Sequence, residues 1–229
     1  MIWILDDFLP DEACNRLRQF ALYPPSDYQN IYTDYKSLNF DIKRKDISKF
    51  SMVNVVDNYV LPKLNEWGKL SYTRSWCFVY DNQSSGVPAH ADPSYLNVNV
   101  WITPDSCIND PDKNGLKIYH KQPDNNVSWH DYNNNRSFID NQIKDSEYTV
   151  IPHKYNRAVV FYGKMYHETT GVDMKPGHDN KRVNYTFLFN QWTNLKATFS
   201  MTTNSVRVLS VRWVNKSCGK LLRPYQKIF

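Results

Sequence analysis

The chain has 229 residues, 41% of them hydrophobic and 15% aromatic, which is enough for one large domain with a packed core. The net charge of +5 is lopsided: from Leu195 onward the chain carries +7 with no acid, which leaves residues 1–194 at −2. The body is thereby excluded as a basic nucleic-acid binder, and only the tail keeps that option. Four cysteines without paired spacing, no membrane-length apolar run and no basic leader at Met1 point to a reduced, cytoplasmic protein with no membrane partner.

In chain order, Ile2–Leu5 reads as a short strand. Pro10, Asp11 and Glu12 open a helix, with proline where its missing N–H costs nothing and acids at the positive end of the dipole. Ala13, Leu17, Phe20 and Ala21 give that helix one apolar face, and Pro24-Pro25 stops it. Residues 26–50 read as polar and irregular. A second helix is expected over about 51–67, bent by Pro62 and ended by Gly68.

From Tyr72 the apolar period becomes two, and strands are predicted at Arg74–Tyr80, Leu96–Ile102, Leu116–Tyr119, Tyr148–Ile151, Ala158–Tyr162 and Arg182–Phe189. Many short strands divided by turn residues indicate a mainly β, closed or sandwiched antiparallel architecture such as a jelly roll. Residues 120–147, rich in Asn and Asp, read as a long loop, which at that length is expected to be functional. The predicted domain is 1–194, with a helical flank over 1–70 and a jelly-roll core over 71–194. The basic extension 195–229 is read as a β-hairpin of Ala197–Met201 with Val206–Val214.

The chemistry centres on His90-Ala91-Asp92. Alternate side chains of extended backbone point the same way, so His90 and Asp92 face one interior. Imidazole plus carboxylate suits Fe(II), and a second imidazole completes a facial triad with three open positions. His167 is 77 residues further on and comes from a different strand. Alternation then puts Arg182, Asn184 and Thr186 on one strand face. An arginine turned into a barrel requires a buried anion, because an unpaired buried charge is costly. A dicarboxylate fits, since guanidinium grips carboxylate bidentately.

On Tyr80, His90-x-Asp92, His167 and Arg182, in that order, and on the strand Asn114–Tyr119, the chain resembles the iron(II)/2-oxoglutarate-dependent dioxygenases, in particular the prolyl-hydroxylase-like branch. The resemblance covers about residues 72–192 and the entry to the first helix. It implies a double-stranded β-helix, or cupin-like barrel, with flanking N-terminal helices. It also implies Fe(II) held by His90, Asp92 and His167, and the far carboxylate of 2-oxoglutarate held by Arg182. Tyr80 would hydrogen-bond the co-substrate, with Asn184 or Trp101 assisting. The implied reaction uses O2, releases succinate and CO2, and hydroxylates a prime substrate that the sequence leaves open. Asp92, which halogenating relatives lack, favours hydroxylation. Two departures stand out: Arg182 follows His167 by 15 residues, and arginine replaces the lysine of procollagen-type enzymes. The alternative on the same residues is a non-catalytic cupin-like metal- or ligand-binding module. For His120, His130, His153 and His178 a surface or supporting place is expected.

Overall fold

The computed structural model describes residues 1–24, 29–31, 35–41, 52–110, 112–191, 209–211 and 225–228. In chain order its elements are β1 (Ile2–Leu5), α1 (Asp11–Leu22), β2 (Gln29–Ile31), β3 (Tyr35–Asp41), α2 (Met52–Val55), β4 (Leu70–Tyr80), β5 (Gln83–Ser84) and β6 (Leu96–Trp101). Then come β7 (Leu116–Tyr119), α3 (Trp129–Asn133), α4 (Arg136–Ile143), β8 (Tyr148–Ile151), β9 (Arg157–Tyr162), β10 (His167–Thr169) and β11 (Val172–Asp173). The last are β12 (Arg182–Gln191), β13 (Leu209–Val211) and β14 (Tyr225–Ile228).

The architecture is mainly β and antiparallel. A nine-stranded sheet runs β13-β14-β1-β9-β6-β12-β4-β3-β2, a three-stranded sheet runs β10-β7-β8, and β11 pairs with β5. Each large-sheet strand has two faces. The outer one, with Leu38, Cys77, Val79, Val98, Val100, Val160, Val183, Tyr185 and Phe187, packs under α1 and α2 through Leu17, Met52 and Val55. The inner one meets the small sheet where Ile2, Ile4, Trp101, Val159 and Phe161 pack on Leu116, Ile118 and Ile151. The inner face is apolar at β1 and β9 but polar at β6 and β12, where Asn97, Asn99, Arg182, Asn184 and Thr186 are all buried. That polarity positions the site.

Several expectations are corrected. Residues 26–50 are not wholly irregular, since β2 and β3 extend the large sheet beyond β4; Leu38 packs in the outer core while Ser37 turns inward. The helix expected over 51–67 breaks into α2, a π turn at Val56–Val60 and 3-10 turns at Leu61–Lys63 and Asn65–Trp67. Proline has no N–H for an i−4 carbonyl, so the winding widens before Pro62 and tightens after it. Residues 120–147 are not one loop: Ser128 caps α3 by accepting from Asp131 N, and Asn135 caps α4 by accepting from Phe138 N at 3.2 Å.

Of the expected tail hairpin, Ala197–Met201 lies outside the described residues, and Leu209–Val211 pairs with β14. β14 in turn pairs with β1. No helix among the described residues is long and apolar enough to cross a membrane.

One close approach sets a glycine requirement. A Cβ at Gly163 would overlap the Ser94 hydroxyl and crowd Asn97 Oδ1. Gly163→Ala should therefore lose about 1–3 kcal/mol of stability, as overpacked cores do. A denaturant midpoint equal to that of the parent would show that the turn can move aside.

Candidate metal and co-substrate site

The turn before β6 and the start of β10 bring three ligand types together. His90, Asp92 and His167 each offer one ligand atom, all within 4.8 Å of one another. His90 N donates to His167 O at 3.0 Å and His167 N to His90 O at 2.8 Å, so the two imidazoles face each other across a two-residue bridge. Ala91 N donates to Tyr132 O at 3.0 Å, and Asp92 N to Gly163 O at 2.8 Å. Every backbone N–H of the His-Ala-Asp run is thus satisfied by a different element.

The imidazoles are oriented from behind. His90 Nδ1 lies 2.8 Å from Pro88 O and His167 Nδ1 2.9 Å from Met165 O. A carbonyl can only accept, so the proton sits on Nδ1 of each ring and Nε2 is left with a lone pair for a metal. Asn97 Nδ2 donates to Asp92 Oδ2 at 2.6 Å, and Ser94 Oγ donates to Asn97 Oδ1. The Asp92 carboxyl, 2% exposed, is pushed up by burial, but His167, His90 and the Asn97 bond outweigh that and hold it below the usual carboxylate range. Burial, then the neighbouring His167, lowers His90 to about 4. Two imidazoles and one carboxylate with open positions suit Fe(II).

The helices in 129–143 brace this turn. Besides the Tyr132 carbonyl, Asn133 Nδ2 donates to Ala91 O at 3.0 Å and Arg136 Nη1 to Ala89 O at 3.1 Å. Tyr132, Ile139 and Ile143 pack on Ala89, Ala91 and Tyr166. This support was missed in the sequence. The readable signals were Ser128 and Asp131 at capping-box spacing, then Ile139 and Ile143 four apart.

Arg182 opens β12 and is 1% exposed. Its Nε donates to Asn114 O at 2.8 Å and its Nη1 to Asn184 Oδ1 at 2.7 Å. Its guanidinium carbon stands 4.8 Å over the Tyr80 ring and 5.9 Å from the Trp101 ring. No carboxylate pairs with it among the described residues, and burial lowers its pKa. Trp101 Nε1, also buried, has no acceptor among them. Tyr80 OH is 3.4 Å from Thr169 Oγ1, next to the bridge that holds His167.

The structure therefore gathers Arg182, Tyr80, Asn184 and Trp101 at one place, on the sheet face that carries Asn97. The lysines nearest in sequence are engaged elsewhere: Lys181 pairs with Asp81 at 2.6 Å, and Lys175 Nζ donates to Ser106 O.

His153 is more involved than a surface histidine. It is buried, lies 5.5 Å from Trp101 ring to ring, and sets Nε2 3.0 Å from Thr103 O. Burial and then the Arg182 charge bring it down to about 3, so it stands neutral beside the guanidinium. Its Nδ1 has no partner among the described residues. His120, His130 and His178 stay outside the metal cluster, and His120 and His178 bond Thr149 and Leu22 O.

No protein-family model matches the chain, and no curated protein does. Solved structures do match. The non-haem α-ketoglutarate-dependent epimerase SnoN of nogalamycin biosynthesis aligns with TM-score 0.62 at 10% identity, over 83% of this chain and 78% of its own. HygX from Streptomyces hygroscopicus, solved with nickel and 2-oxoglutarate bound, gives 0.52 at 9% over 83% of each chain. A Pseudomonas putida prolyl-4-hydroxylase gives 0.51 at 10%, over 84% of this chain and 93% of its own. The fold is thus one that this chain shares with 2-oxoglutarate-dependent enzymes and with a prolyl hydroxylase.

Proposed function

We propose that the chain is an Fe(II)- and 2-oxoglutarate-dependent oxygenase built on a double-stranded β-helix, hydroxylating a prime substrate. The observation that carries this is Arg182: a fully buried cation without a carboxylate partner among the described residues, on the sheet face whose Asn97 bonds Asp92 of the His90, Asp92 and His167 cluster. A buried unpaired charge is strongly unfavourable, so such a site is built for an anion that arrives. Two further features support the reading: Trp101 Nε1 is a second buried donor without an acceptor, and the matched fold belongs to enzymes that include an α-ketoglutarate-dependent epimerase and a 2-oxoglutarate complex.

His90, Asp92 and His167 would hold the iron through two Nε2 atoms and one carboxylate oxygen. When bound, iron with 2-oxoglutarate supplies O2 activation, with succinate and CO2 as co-products. The chain's own part is placement. Arg182 neutralises the far carboxylate of the co-substrate with a pre-positioned fork, and Asn114 and Asn184 hold that fork still. Trp101 Nε1–H and Tyr80 offer further hydrogen bonds there. Leu116, Ile118 and Phe161 keep water away from the inner face. The alternative of a non-catalytic cupin-like module accounts for the buried Arg182 guanidinium only if the module too binds an anion.

The test is optical and needs no prime substrate. Fe(II) added under nitrogen together with 2-oxoglutarate should give a weak visible charge-transfer band that neither gives alone. Tight Fe(II) binding without such a band, and without measurable 2-oxoglutarate affinity, would leave the module.

A further inference from the structure

Beyond the co-substrate residues, the inner face continues across β4 and β3, and the ladder register lines up one row on it. Asn99 is opposite Thr186, Thr186 opposite Trp76, and Trp76 opposite Asn39. The row starts buried, with Asn99 and Thr186 at 7% and 3% exposure, passes a half-buried Trp76 and ends at an exposed Asn39. Asn99 Nδ2 donates to Thr186 Oγ1 at 3.2 Å while Asn99 Oδ1 has no partner among the described residues. Turning the amide over would only exchange which end is left, so a buried amide group is unsatisfied either way.

The aromatic rings on this face form a connected wall. Trp76 meets Phe78 at 6.4 Å, Phe78 meets Tyr80 at 6.0 Å, and Tyr35 is 5.7 Å from both Phe78 and Tyr80. The wall runs from beneath Arg182 to Trp76 at the open end. No member of the row is charged; the charged positions next along that face, the exposed Arg74 on β4 and Asp41 opposite it on β3, lie one pair beyond its open end.

We infer that this row is the prime-substrate wall, and that it takes an uncharged, ring-bearing molecule with hydroxyl groups, such as a glycoside. The assignment rests on the oxygenase reading above and names the substrate class for that same site. Aromatic faces hold rings through stacking and dispersion. The unsatisfied Asn99 amide and the Thr186 hydroxyl then pair with substrate hydroxyls, which relieves an otherwise unfavourable buried group. A charged substrate group would be desolvated along the buried part of this row, Asn99 and Thr186, where no member carries a counter-charge. The graded exposure also gives an entry path, from Asn39 in solvent to Asn99, two residues along β6 from the Asn97 that holds Asp92.

The experiment uses the full chain with Fe(II), 2-oxoglutarate and O2, and reads the succinate released above background. Three probe sets are compared: methyl glycosides, a proline-containing peptide, and free arginine and aspartate. Calorimetric titration of the same probes into Mn(II)-loaded protein runs beside it. Methyl glycosides should stimulate release and bind. Trp76→Leu should raise their half-saturating concentration at least tenfold, with the 2-oxoglutarate dissociation constant and the melting temperature held, and Trp76→Phe should recover most of the loss. Asn99→Ala should weaken the same probes and spare the co-substrate. Stimulation by the peptide or the charged amino acids alone, no response to any glycoside, or a Trp76→Leu defect confined to 2-oxoglutarate binding would each overturn the assignment. If the parent protein fails to bind 2-oxoglutarate at all, the oxygenase reading falls, and the calorimetric arm still decides the wall.

Discussion

Arg182→Ala should weaken 2-oxoglutarate binding by roughly 10²-fold, measured as the dissociation constant in the presence of Mn(II). Breaking a desolvated charge pair costs on the order of 2–5 kcal/mol, at about 1.4 kcal/mol per decade. Arg182→Lys should lose less, since it keeps the charge but not the fork, and its shorter reach forfeits the bonds to Asn114 O and Asn184 Oδ1. A third substitution at the same position carries an opposite signature without ligand. The guanidinium is buried with no carboxylate partner among the described residues, so Arg182→Met should leave the ligand-free protein as stable as the parent or more so. Lys175→Ala and Lys181→Ala should leave the constant unchanged, because both lysines are engaged elsewhere. A large loss in either lysine variant, with Arg182→Ala unaffected, would move the anchor.

Single substitutions His90→Ala, Asp92→Ala and His167→Ala should each lower Fe(II) affinity by more than the 10–100-fold typical of removing a group that only orients a ligand. Each removes one of three donors, and Asp92→Ala also removes the negative charge. The fold should survive all three, because the apolar clusters between helices and sheet and between the two sheets do not include these residues. The readouts are metal stoichiometry after gel filtration and the far-ultraviolet circular dichroism of the same samples. Full iron occupancy in His167→Ala would take that residue out of the ligand set.

What could be read in the chain followed from period two. Alternation alone turned His90 with Asp92, and Arg182 with Asn184, to one side, and the structure brings the first pair together with His167 and bonds Arg182 to Asn184. The core strands were equally legible, with β7 and β8 at the expected bounds and the others within a few residues. What was not legible depends on distant partners. The seven-residue strand β3 is held by pairing with β4, not by a pattern of its own. α3 and α4 are only 5 and 8 residues long, too short to stand alone, and persist because Tyr132, Ile139 and Ile143 find Ala89 and Ala91. His153 sits in a turn between β8 and β9, and nothing local reveals that the turn folds under Trp101.

The mutual backbone bonds of His90 and His167 have a consequence for which metal is taken up. Two donors already fixed opposite one another lose little conformational freedom when an ion arrives, so chelation is entropically cheap for any divalent ion of suitable size. The Irving–Williams order then runs against iron, since Ni(II), Cu(II) and Zn(II) all bind nitrogen and oxygen donors more tightly than Fe(II). A rigid cradle of this kind discriminates poorly by itself. In the oxygenase proposed above, iron content would then be set by which ion the surroundings supply, and traces of zinc or copper in a preparation should compete for the site.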